Sequence, residues 1–183
     1  VLAQIAAEAL GTVTEKIVVY SSDTDMTPFD VGAYASSTTY LSGSAVLDAA
    51  QKVKKQILGV AAEILGCKPA DLVAADQKVT TKDGSKSVTY SEVALHSLYA
   101  ANQFQIAAIS SHITHKSPPP FSAHFAEVEV DTETGKVTVI KYVAAVDCGT
   151  AINPKLAEGQ TEGGVMNGIS FALTEEYLFS SKG

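Results

Sequence analysis

An α+β fold is predicted, with helices packed on one face of a mixed, largely antiparallel sheet, and three observations carry it. Between Ser44 and Leu65 the apolar residues recur at intervals of three and four. From Phe125 to Val146 apolar and polar residues alternate on either side of the turn DTETG. Strand-like and helical stretches are mixed along the chain in an order that suits a sheet with helices against it.

The elements follow in order. VLAQIAAEAL, residues 1–10, sets Leu2, Ile5, Ala6, Ala9 and Leu10 on one helical face, and Gly11 is a natural C-terminal cap. IVVY, residues 17–20, is β-branched and aromatic and reads as a strand. The amphipathic helix over 44–65 closes at Gly66. AAEALG at 6–11 and AAEILG at 61–66, each followed by a short apolar run (IVVY, LVAA), suggest a duplicated helix–strand unit. Residues 77–90 form a hairpin around Asp83-Gly84, and Ser91 opens a short helix over 91–101. The second strand of the 125–146 hairpin is expected to be mostly buried, and Asn153-Pro154 introduces a last helix through about Thr174. A subdivision of the chain is expected near 115–120.

Composition limits the function. With 183 residues the chain fits one domain or two small subdomains, and needs neither disulfides nor a metal to build a core. No apolar run approaches the roughly 20 residues that cross a bilayer, so a membrane is not an expected partner, and no secretory signal opens the sequence. A net charge of −7 with 13 lysines and no arginine argues against nucleic acid. It also removes the guanidinium fork, so any phosphate must be held by backbone amides, hydroxyls, amide side chains or lysine. Cys67 and Cys148 are too few for an iron–sulfur cluster and suit a reducing compartment, the cytoplasm.

Three segments concentrate glycine, hydroxyl and amide groups. SSDTDMTPFDVGAYASSTTYLSG, residues 21–43, can aim Ser36, Ser37, Thr38 and backbone amides at an anion or a heteroaromatic ring. DCGTAINP covers 147–154. EGQTEGGVMNGISFALTEEY, residues 158–177, places Gly159, Gly163, Gly164 and Gly168 in a helical pattern, where each costs about 1 kcal/mol relative to alanine. Such glycines suggest a close backbone approach, and the Gln160 amide among them both donates and accepts. His112-x-x-His115 with His124 lacks supporting carboxylates or thiols and is not read as a metal site. Glu175 and Glu176 are neighbours that point apart and are not read as an acid–base pair.

The succession QIAAEALG, SDTDMTPFDVGAYASSTTYLSGSAV, FAEVEVDTETGKV and VDCGTAINPKLAEGQTEGGVMNGISFALTEE resembles the molybdenum-binding subunit of the xanthine dehydrogenase and aldehyde oxidase family, the molybdenum hydroxylases. The resemblance implies that residues 1–183 are part of the C-terminal molybdopterin-binding domain of a longer chain. The cofactor would be molybdopterin, in some relatives its cytosine dinucleotide, with the metal carried by the pterin. Iron–sulfur and FAD centres would sit on partner domains or subunits. By position, Ala35, Ser36, Ser37 and Thr38 would line the pterin and metal pocket, Gly159 and Gln160 would approach the cofactor, and Ser22 to Asp25 is a weaker candidate. The family's activity is the hydroxylation of heteroaromatic rings or aldehydes with water-derived oxygen. Its catalytic glutamate would lie beyond Gly183 and its glycine-glutamine-glycine pterin segment before the first helix, so residues 1–183 alone are expected to be inactive. The alternative is a non-catalytic scaffold or assembly domain of the same fold that has lost the cofactor. Ser37 and Asn167 stand where many relatives have arginine and glutamine, so the substrate does not transfer.

Overall fold

The computed structural model describes residues 1–116 and 118–183, and the chain falls into two compact units, Val1–His115 and Lys116–Gly183. Ser117, within the stretch where a subdivision is expected, lies outside the described residues.

The first unit is built on α1 (Leu2–Leu10), α2 (Thr38–Leu65) and α3 (Tyr90–Tyr99), with a sheet of β1 (Leu72–Ala75), β2 (Lys78–Thr81) and β3 (Ser87–Thr89) in the order β1-β2-β3. Both pairings are antiparallel, with Leu72 opposite Thr81 and Val79 opposite Val88. Ile57, Val60, Ala61 and Leu65 of α2 meet Leu72, Val79 and Val88 of the sheet and Val93 of α3 in one buried cluster. Val79 and Val93 are fully buried, which contributes about 1.5–3 kcal/mol each. The α+β class is therefore the observed one.

Both α1 and α2 end in the same way. Gly11 (φ 68°, ψ 44°) and Gly66 (φ 67°, ψ 42°) take the left-handed conformation, and the amides that follow them donate back, Thr12 to the Ala7 carbonyl and Cys67 to the Ala62 carbonyl. The surroundings differ. A Cβ on Gly11 would stand 2.5 Å from the Ala74 carbonyl oxygen, whereas nothing lies within 4 Å of one on Gly66. The β1–β2 tip explains the crowding: Asp76 and Gln77 both have positive φ, the Gln77 amide donates to the Gly11 carbonyl, and the Tyr90 hydroxyl donates to the Leu10 carbonyl.

Several expectations are corrected. Residues 17–20 form no strand; after a 3-10 turn at Thr14–Lys16 they run extended with no ladder partner among the described residues, Val18 being 90% exposed. The shared AAE-x-LG sequence thus fixes two alike helix ends, but the first is not followed by a strand. Helix α2 starts at Thr38 rather than Ser44, because its opening turns pack on α1, where Gly43 is buried against Ile5, and this contact overrides the poor propensity of Thr-Thr-Tyr and glycine. Helix α3 is opened by Thr89, not Ser91: Thr89 Oγ accepts from the Glu92 amide and the Glu92 carboxylate accepts from the Thr89 amide, a complete capping box.

The second unit is the hairpin of β4 (Phe121–Val130) and β5 (Val137–Asp147) followed by α4 (Pro154–Leu173), which packs on β5. A bulge at Glu127/Val128 interrupts the register. Contrary to expectation β5 is not mostly buried: it pairs with β4 and packs on α4, and its residues are half-buried or exposed.

Two consequences can be measured by unfolding. Gly66→Ala meets only the left-handed penalty, about 1–2 kcal/mol, while Gly11→Ala adds the clash with Ala74 and should lower the urea midpoint clearly more. Equal losses would remove the close approach. At the β2–β3 turn, hydrogen bonds from Thr81 and from the amide and hydroxyl of Ser85 hold Asp83 down at about 2 from 3.8. A depressed folded pKa stabilises above the unfolded value and loses that stabilisation as pH falls through the folded one. Asp83→Asn should therefore lower Tm at neutral pH, with the difference from the parent closing between about pH 3.8 and pH 2.

Candidate cofactor-binding site

In the first unit the polar segment 21–37 is tied to itself. The Asp23 carboxylate accepts from the amides of Asp25 (3.0 Å) and Met26 (3.1 Å) and from the Tyr20 hydroxyl (3.3 Å). Asp30 accepts from the Gly32 amide at 2.7 Å and from the Ser42 hydroxyl at 3.0 Å, which fastens the loop to the first turns of α2. The carboxylates of Asp23 and Asp30 are thus spent on folding the loop.

The segment ends in an uncommon backbone. Ala35 (φ 49°) and Ser36 (φ 55°) are consecutive non-glycine residues in the left-handed region, directly before α2. Each such residue costs roughly 1–2 kcal/mol. Ser37, the N-terminal flank of the helix, does not cap it: its amide and hydroxyl both donate to the Tyr34 carbonyl, at 3.1 and 2.8 Å. The first amide bonded within α2 is that of Leu41, to the Ser37 carbonyl at 2.8 Å. The amides of Thr38, Thr39 and Tyr40 therefore have no partner among the described residues, and no acidic side chain stands in that turn. The positive end of a 28-residue helix dipole is left open beside exposed hydroxyls. Ala35, Ser36, Ser37 and Thr38, chosen from the sequence, are thus one contiguous patch whose donor set suits a phosphate or oxo group without guanidinium. Phe29 and Tyr34 expose apolar rings on the same loop.

In the second unit the DCGTAINP turn follows β5. The Gly149 amide donates to the Asp147 carboxylate at 2.9 Å, with Gly149 left-handed (φ 69°), and Asn153 caps α4 by accepting from the Leu156 amide at 3.1 Å. Gly159 and Gln160 lie in the second turn of α4, exposed, and the Gln160 amide makes no hydrogen bond among the described residues. Beyond the helix's own nearby backbone, no described residue comes within 4 Å of a Cβ built on Gly159, Gly163, Gly164 or Gly168, so the close approach expected there is not made among the described residues. His112 Nδ1 lies 3.6 Å from Asp48, and Glu175 and Glu176 are exposed beyond the end of α4.

The left-handed pair was not foreseen. Glycine and asparagine announce that conformation; Ala-Ser does not. Its local cost is testable: unfolding midpoints should fall from Ala35→Gly or the parent to Ala35→Val, because a β-branched side chain tolerates positive φ least. A valine variant as stable as the parent would contradict the left-handed assignment.

A family model described as a molybdopterin cofactor-binding domain matches residues 1–183. The chain is 36% identical over its whole length to the probable hypoxanthine oxidase XdhD of Escherichia coli K12, covering 19% of that protein. It is 33% identical to the xanthine dehydrogenase molybdenum-binding subunit of Escherichia coli O157:H7, covering 25%. A crystal structure of a Cu,Mo-CO dehydrogenase superposes on 98% of the chain with a TM-score of 0.90 at 30% identity, using 23% of that protein. The chain thus spans between about a fifth and a quarter of the length of these relatives.

Proposed function

The chain belongs to the molybdopterin cofactor-binding domain family of the xanthine dehydrogenase and CO dehydrogenase type, and from that membership we propose that it holds molybdopterin in an oxidoreductase that hydroxylates heteroaromatic rings or aldehydes with water-derived oxygen. The observation that carries this reading within the structure is the open α2 N-terminus. Three amides without a partner among the described residues, a strained Ala35–Ser36 turn and a first helical turn with no acidic side chain of its own form a receiver for an anionic cofactor.

The bound group would supply the redox chemistry, and this chain supplies position and electrostatics. The amides of Thr38, Thr39 and Tyr40 hold the negative group, Ser36 offers a hydroxyl, and Gln160 contributes a donor and an acceptor from α4. Gly159 keeps the backbone beside Gln160 bare, so a ligand can reach it. The family resemblance puts the glutamate base of the reaction outside residues 1–183, elsewhere in the polypeptide. On this reading residues 1–183 are part of a C-terminal cofactor-binding domain and have no turnover by themselves. The iron–sulfur and FAD centres belong to partner domains or subunits, the cofactor is carried as molybdopterin or its cytosine dinucleotide, and the free Cys67 and Cys148 fit the cytoplasm.

Molybdenum and pterin analysis of the full-length protein purified from its host should give about one of each per polypeptide; a protein with neither would leave a scaffold role. In that protein Gln160→Ala should lower molybdenum content or turnover by roughly five- to 150-fold, matching a lost buried hydrogen bond of about 1–3 kcal/mol. Thr132→Ala, in the β4–β5 turn, should change neither, and equal behaviour of the two variants would remove Gln160 from the site.

A further inference from the structure

Outside these patches, one face of α2 reads the backbone of a segment that belongs to no sheet. The Gln56 amide pairs with Ala107 in both directions, Nε2 donating to its carbonyl at 2.9 Å and Oε1 accepting from its N–H at 3.1 Å. Lys52 Nζ donates to the Ile109 carbonyl at 3.2 Å and to the Ser110 hydroxyl at 3.1 Å. Asp48 lies 3.6 Å from His112. Asp48, Lys52 and Gln56 are four residues apart and share one side of the helix, so residues 107–112 run along it in the opposite direction. The alternation of half-buried 106, 108 and 110 with exposed 107 and 109 is that of an extended chain.

In an extended chain, alternate residues present their N–H and C=O groups on opposite edges. With Ala107 and Ile109 turned to α2, Ile106, Ala108 and Ser110 offer theirs on the far edge, where no described residue meets them. Ile106 is packed against the core, which fixes the segment in place, while Ile109 is 86% exposed. Residues 103–113 contain no lysine, glutamate, aspartate or proline, the residues that blunt an open edge.

We propose that the far edge of residues 106–110 is a preformed docking strand, and that it is covered by a β-strand of the same polypeptide from outside residues 1–183. This rests on the reading of the chain as a part of a larger molybdenum subunit. The relatives devote 75–81% of their length to sequence beyond the matched region, so a tethered strand is at hand. Five residues of edge bury far less than the roughly 1,200 Å² of a stable complex between separate molecules, so a second copy is a poor occupant. A strand on the same chain needs no such area, because tethering supplies the effective concentration.

Hydrogen exchange of the full-length protein tests the edge. The amides of Ile106, Ala108 and Ser110 should exchange at least about a hundredfold more slowly than that of Thr132 in the exposed β4–β5 turn, which has no partner among the described residues. Exchange at the turn's rate would overturn the proposal. A photoreactive phenylalanine analogue at Ile109 then identifies the occupant: a cross-link to a segment outside 1–183 of the same polypeptide is the expected product. A cross-link within 1–183, to another subunit, or to nothing would contradict it. Molybdenum content of the same sample separates the two readings. Full molybdenum with unprotected amides removes the strand alone, and absent molybdenum with a clean cross-link removes the cofactor reading alone.

Discussion

The contact between the C-terminal half of α2 and the small sheet determines what the rest of the first unit can do. Ile57, Val60, Ala61 and Leu65 are buried there against Leu72, Val79 and Val88, and Val93 closes the cluster from α3. A helix of 28 residues is about 42 Å long, so a core gripping its last turns leaves the first turns well beyond it. Among the described residues α1 supports that end through the buried Gly43 beside Ile5, and Asp30 holds the Ser42 hydroxyl there. The helix N-terminus is therefore held rigidly yet kept open, which is what a backbone anion receiver needs. The same anchoring explains the crowding at Gly11, where α1 ends on the β1–β2 tip.

The sequence made the regular elements legible wherever a local rule coincided with packing. Gly11 and Gly66 announce left-handed helix ends, DTETG and Asp83-Gly84 announce turns, and Asn153-Pro154 announces α4; each takes that conformation. The misses share a cause. IVVY has every mark of a strand but finds no partner here, and strand formation needs a second chain segment that local sequence does not specify. The start of α2 moved from Ser44 to Thr38 because a tertiary contact with α1 outweighs poor propensity. Of the candidate site, the residues were legible through motif order, whereas the physical reason for Ala35 and Ser36, two strained residues before an uncapped helix, was not.

The absence of arginine shapes the chemistry of both patches. Guanidinium groups bind anions by charge as well as geometry, and a chain without them is left with backbone amides, hydroxyls, amide side chains and lysine, of which the α2 N-terminus offers the first two. Ser37 illustrates the choice. A serine in that position ordinarily caps the helix by accepting from the second or third amide, but here its hydroxyl donates backward to Tyr34 and the amides stay free. Stability and ligand binding are thereby opposed at a single side chain.

That opposition offers the most direct test. An aspartate is a strong helix cap and complements the dipole, worth about 1 kcal/mol, but its carboxylate would occupy the amides proposed to receive the anionic cofactor. The measurement is molybdenum per polypeptide in full-length Ser37→Asp, taken together with its Tm after cofactor removal. The expected result is an unchanged or higher Tm with severalfold lower molybdenum. Molybdenum content equal to that of the parent, in a protein whose helix is better capped, would show that the α2 N-terminus does not hold the cofactor.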